Sequence, residues 1–181
     1  MKTDTGNPMA VAVLGLGNPV VSDDAVGLHV AFEVERLLGN NPVPGVTVMT
    51  SNRGGFDLIR LLTGYSRAII IDALELPNPC PGRIHRLQLG MLSGSARLVG
   101  VHDISLADAF ELAETIGIPM PESVEIFAVE GGEMQNLSEG LTRELEAVVR
   151  PLAMEIYDMA CKWVNESIHP AFDQNCVESS A

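Results

Sequence analysis

The chain has 181 residues, 24 acidic against 11 basic side chains, a net charge of −13 and a sequence pI near 4.5. A polyanion of this kind repels phosphate backbones, so a general nucleic-acid binder is disfavoured. With 46% hydrophobic residues and a mean hydropathy of +0.21, the composition fits one folded domain rather than a disordered chain.

The expected elements alternate between strand and helix. Residues 1–9 are polar and read as a loose N-terminus, without the basic start of a secretion signal. Residues 10–16 form a short apolar run that fits a buried strand. From Asp24 to Leu38, Val26, Val30, Val34 and Leu37 recur at helical spacing, and Gly39, Asn40 and Pro42 close that helix. Residues 46–50 read as a strand, 54–62 as a short helix and 67–72 as a deeply buried strand containing Ala-Ile-Ile-Ile. A Pro-rich loop over 77–82 leads to an alternating strand over 83–89, and 90–101 look irregular. A helix is expected over 103–116, a strand over 124–129 and a helix over 138–163, which Pro151 should kink or split. Residues 10–165 then make one domain, with a flexible tail over 166–181. No run reaches the roughly 18 apolar residues of a membrane span.

Such alternation implies an α/β fold with a mostly parallel sheet covered by helices on both faces. Ligands in that architecture bind beyond the carboxyl ends of the strands. Three groups of polar residues fall there. The first turn is Gly15-Leu16-Gly17-Asn18 followed by Asp23-Asp24-Ala25-Val26-Gly27. It departs from a dinucleotide fingerprint because Val20 stands where the third glycine belongs. Asp23 and Asp24 open the first helix, where capping is the plain structural role. Two adjacent carboxylates exceed what one cap needs, which leaves one for a metal. Asp72 ends the Ile69-Ile70-Ile71 strand, where its plain role is to bond nearby loop amides. His102 precedes the third helix, where a surface or capping histidine is the plain alternative. His29, within the first helix, His85, on the outer strand, and His169, in the tail, are weaker candidates. Asp24, Asp72 and His102 together offer two carboxylates and one imidazole, a mixed set suited to a borderline divalent metal with open positions.

Three cysteines, Cys80, Cys161 and Cys176, are odd in number and include no C-x-x-C pair. They argue against a disulfide framework or zinc knuckle and suit a reducing cytoplasm. No Ser–His–Asp or Cys–His arrangement favours a covalent route.

With these motifs in order, the chain resembles the hydrogenase maturation protease family over most of residues 10–165. Family members carry G-x-G-N after the first strand, then D-[DE]-x-x-G. A later strand ends in D-A, matched here by Asp72-Ala73, and a histidine ahead of a helix is matched by His102. The resemblance implies a three-layer α/β/α sandwich with a five-stranded twisted sheet. It also implies a cytoplasmic endopeptidase that removes a C-terminal extension from the large-subunit precursor of a nickel–iron hydrogenase. Asp24, Asp72 and His102 would be the catalytic and metal-contacting residues. Nickel would come with the substrate, and no organic cofactor is implied. Gly17, Asn18, Asp23, Gly54 and Gly55 are candidate substrate contacts. Two features depart from the family pattern: Asp24 stands where some members have Glu, and Phe56 and Leu58 interrupt a G-G-T-x-G segment. Peptidyl-tRNA hydrolases share Gly-Leu-Gly-Asn-Pro at residues 15–19, but require a basic RNA-binding face. A noncatalytic metal-binding module is the other alternative, separable by absence of turnover.

Overall fold

In the computed structural model, residues 10–89, 106–138 and 140–168 are described. Five strands, β1 Val11–Leu16, β2 Val46–Ser51, β3 Arg67–Leu74, β4 Ile84–Gln88 and β5 Ser123–Glu130, form one sheet in the order β2-β1-β3-β5-β4. Four helices accompany it: α1 Val26–Asn40, α2 Phe56–Leu62, α3 Leu106–Thr115 and α4 Arg143–Ile168. The pairs β1–β2, β1–β3 and β3–β5 are parallel, and only β4 runs antiparallel, against β5.

The two faces of the sheet bury separate apolar sets, as strand alternation requires. Val11, Val13, Ile69, Ile71, Phe127 and Val129 pack against α1 and α4. Ala12, Leu14, Ala68, Ile70, Val124 and Ile126 pack against α2 and α3. Strands buried on both sides read as continuous apolar runs, which is why Ala68–Ile71 carries no polar residue. The three-layer α/β/α sandwich with a mostly parallel five-stranded sheet is thus the observed architecture.

Several element boundaries differ from expectation. Strand β3 continues to Leu74, so Asp72 lies within the strand instead of ending it. Parallel pairing with β5 extends through Leu74–Glu130 and carries the extra residues. The first helix begins at Val26, after a separate 3-10 turn over Asp23–Ala25, and neither helical start has a side-chain cap. The capping role expected for Asp23 and Asp24 is therefore not the one they play. Helix α4 begins at Arg143, five residues later than expected, and runs unbroken through Pro151. Pro151 is exposed, so water can bond the carbonyl that proline leaves without a donor, while Leu145, Leu152 and Ile156 hold both halves to the core. His102 and the expected first turn of the third helix lie outside the described residues.

Close approach of α1 to the sheet depends on Gly27. A Cβ at this position would collide with the Leu16 carbonyl oxygen and lie 2.5 Å from that of Ile71. The missing side chain lets the start of α1 rest on β1 and β3, and so brings Asp24 to the carboxyl edge of the central strands.

Candidate active site

The turn after β1 is tied down at both ends. Gly17 has φ +149°, and its N–H donates to the Ser51 carbonyl at 3.2 Å, joining the turn to the end of β2. A Cβ on Gly17 would collide with the Asp24 carbonyl oxygen, so the loop closes on itself only with glycine there. The Asn18 N–H donates to Asp24 Oδ2 at 2.7 Å, and the Asn18 side chain accepts from the Val20 N–H at 3.2 Å. Half-buried Asp24 is thereby held across the neck of the glycine turn.

The two adjacent acids have different environments. Asp23 is fully buried, and three backbone amides donate to its carboxylate. Gly132 and Glu133 reach Oδ2 at 2.8 and 2.9 Å, and Thr142 reaches Oδ1 at 2.9 Å. These bonds staple the β5–α4 loop to the β1–α1 loop, and a Val21–Leu137 bridge reinforces the join. Three such bonds satisfy the polar atoms that burial takes from water. Asp23, expected as a substrate contact, is placed inward and committed to the fold.

Asp72 is 6% exposed, and its Oδ1 accepts the Ala73 N–H at 2.9 Å. Its pKa is pushed up to about 8, first by burial; the Ala73 amide opposes the rise and the charge of Asp24 adds to it. Asp24 and Asp72 are therefore near enough to repel, although 48 positions of sequence (72 − 24) separate them. Two carboxylates in one poorly hydrated place are relieved either by a proton or by a cation. That donor set fits a hard or borderline divalent ion with further ligands supplied from elsewhere. Among the described residues no group of three His, Cys, Asp or Glu side chains could hold a metal alone. His102, the expected third member, lies outside them.

The remaining candidates frame the same edge. Gly17 and exposed Asn18 belong to the β1–α1 turn, and Gly54 and Gly55 to the adjoining β2–α2 turn. Gly55 takes φ +63° immediately before α2. A cleft of about 320 Å3 opens between the β3–β4 and β5–α4 loops, lined by Glu75, Leu76, Pro79, Gly131, Gly132 and Glu133 among others.

One pair at this edge escaped the sequence reading. Glu130, 2% exposed at the end of β5, bonds His85 of β4 at 2.6 Å and accepts from the Cys80 N–H. The Cys80 amide and then His85 hold its carboxyl below the ordinary value; burial opposes them, and Arg83 adds to the lowering. The signal available in sequence was alternation, which sets His85 on the same face as the partly buried Leu87.

Comparison with known proteins gives a consistent result. A family model described as hydrogenase maturation protease matches residues 29–159, well over half of the chain. The hydrogenase 2 maturation protease of Escherichia coli (strain K12) is 24% identical over 150 residues, covering 82% of this chain and 88% of the relative. Among solved structures, the hydrogenase maturating endopeptidase HybD from E. coli superposes with a TM-score of 0.70 at 20% identity, covering 86% of this chain and 94% of that one. The [NiFe] hydrogenase maturation protease HycI from Thermococcus kodakarensis KOD1 gives a TM-score of 0.62 at 18% identity, covering 85% and 93%.

Proposed function

Because this chain belongs to the hydrogenase maturation protease family, and is a peptidase by that membership, we propose that it cuts a short C-terminal extension from the nickel-loaded large-subunit precursor of a nickel–iron hydrogenase. Nickel in this reading is part of the substrate. The observation that carries it is the convergence of Asp24 and Asp72 at the carboxyl edge of the sheet, where the charge of one raises the proton affinity of the other. An acid pair of this kind gains from a divalent cation what it otherwise gains from a proton. His102 completes the proposed contact set, and the cytoplasm is the proposed setting.

The pair recognises substrate by charge and geometry. A precursor without nickel offers the pair no cation, and Asp72 keeps the proton that relieves it, so nothing is gained at this site by docking. A loaded precursor brings the cation that relieves them and fixes the scissile bond near the loop cluster, converting recognition into proximity. Polarisation of the carbonyl or activation of water is what the bound ion supplies. Gly17, Asn18, Gly54 and Gly55 are the proposed peptide contacts along this edge.

The test is incubation of the protein with nickel-loaded and nickel-free precursor, with the product mass followed over time. Only the loaded precursor should lose its extension. Equal processing of both would remove nickel from recognition, and an intact loaded precursor would overturn the reading.

A further inference from the structure

An open groove of about 620 Å3 runs between α2 and α3. Phe56, Ile59, Arg60 and Thr63 line one wall, at the spacing of a single helical face from the start of α2 to its C-cap. Leu112 of α3 and Ile116, just beyond that helix, line the other. Ile59 is buried against Ala109 and Ala113, whereas the lips are open: Phe56 is 58% and Ile116 56% exposed.

The two residues that interrupt the G-G-T-x-G segment are placed differently. Leu58 is 2% exposed and sits in the core with Leu14, Leu62 and Ile70, so packing accounts for it. Phe56 leaves more than half of its surface in water, so the core does not account for it. An exposed phenylalanine opposite an exposed isoleucine across an apolar groove is the pattern of a contact surface. Its place in the fold ties that surface to the site. Phe56 directly follows Gly55, so the groove opens at the β2–α2 turn that holds the proposed peptide contacts Gly54 and Gly55. From there α2 returns toward the amino edge of the sheet, and the groove follows it for roughly 10 Å.

Charge sets the kind of partner. The chain carries −13 overall, yet Arg60 is the one charged side chain among the described residues lining the groove. Arg53 and Arg60 share a single carboxylate, Asp57, at 3.8 Å each, and both arginine side chains are 73% exposed. Arg36, Arg67 and Arg86 instead bond a carboxylate at 3.1 Å or less. The α2 side of the groove is thus a cationic margin on an acidic molecule, complementary to a carboxylate on an otherwise apolar segment.

Resting on the reading under Proposed function, we propose that the α2–α3 groove docks an apolar segment of the large-subunit precursor that carries an acidic residue. Phe56 and Ile116 grip its apolar side chains, and Arg60 pairs with the acid. Docking here holds the precursor while its extension crosses the neighbouring sheet edge. Nickel content and precursor identity are then read at separate places, the first by the acid pair and the second by the groove.

Phe56→Thr and Ile116→Ser test this with nickel-loaded precursor. Both side chains are more than half exposed, so each variant should melt within about 2 °C of wild type. KM should rise about 10-fold or more in each, with kcat kept. Ile116 follows the end of α3, toward the amino edge of the sheet, so its effect is independent of Gly54 and Gly55. Arg60→Glu should raise KM in about 50 mM salt, and about 0.5 M salt should shrink its difference from wild type. Unchanged KM in both apolar variants overturns the proposal, as does a fall in kcat at constant KM or loss of folding in both. An Arg60→Glu protein with wild-type KM at low salt overturns the acidic partner. A wild-type dimer in sedimentation that Phe56→Thr dissolves also overturns the proposal, because the groove then belongs to a second copy. A wild-type protein that leaves loaded precursor intact overturns the underlying reading, and that control precedes every variant, so the two failures are told apart.

Discussion

A carboxyl group buried beside another acid is most comfortable with its proton on. Asp72, raised to about 8 by burial and by Asp24, retains a proton over a range where an unfolded chain has lost it. From about pH 4 to about pH 8 the folded state therefore binds more protons than the unfolded state, and stability falls as pH rises through that window. Without added metal, Asp72→Asn should remove this slope and be the more stable protein at pH 8, by at most about 5 kcal/mol. Denaturation at pH 5 and pH 8 checks it, and a wild-type stability that is level between them contradicts it. Asp23 is held differently, by three backbone amides that donate to its buried side chain. Asp23→Ala should cost roughly 3–5 kcal/mol by leaving those donors unmatched. Faster hydrogen exchange at Gly132, Glu133 and Thr142 is the expected local signature.

At the scale of elements, helix α1 and helix α4 show different tolerances. The start of α1 touches the sheet through backbone, so Gly27→Ala must push the helix away from the Leu16 and Ile71 carbonyls. A loss of more than about 2 kcal/mol is expected, since the obstacles are backbone atoms and cannot swing aside. Chemical denaturation measures it, and a cost near zero would mean α1 slides without penalty. Pro151 lies on an exposed surface of α4, and the helix persists through it because its buried stripe is anchored on both sides. Replacing it with alanine restores an N–H donor and a better helix former, so Pro151→Ala should stabilise the protein by about 1–3 kcal/mol. A variant that melts at or below the wild-type temperature would show that the ring contributes packing.

For the molecule as a whole, the sandwich separates what holds it together from what acts. Ile70 is fully buried in the sheet face that α2 and α3 cover. Ile70→Ala should cost about 2–5 kcal/mol through the cavity it leaves, and any loss of processing should track unfolding. Asp24→Asn keeps the side-chain volume and an acceptor for the Asn18 amide, so it should cost about 1 kcal/mol and still abolish precursor processing. Thermal melts and precursor cleavage on the same samples distinguish the two behaviours. A folded Asp24→Asn protein that processes precursor normally would remove Asp24 from the site.

Local pattern determined much of this protein. The apolar runs of β1 and β3, the helical period of α1 and the glycine–acid turn between strand and helix are short-range signals. They record which side of each element must be dry, and so gave an α/β sandwich with acids at one sheet edge. Tertiary structure decided what those acids do. Asp23 finds its amide donors 109 to 119 positions along the chain, so nothing beside it in sequence distinguishes it from Asp24. Glu130 and His85 meet across 45 positions because β4 runs antiparallel to β5, a direction that alternation alone leaves open. Burial periodicity belongs to each segment, whereas hydrogen-bond partners and electrostatic neighbours depend on where the chain returns.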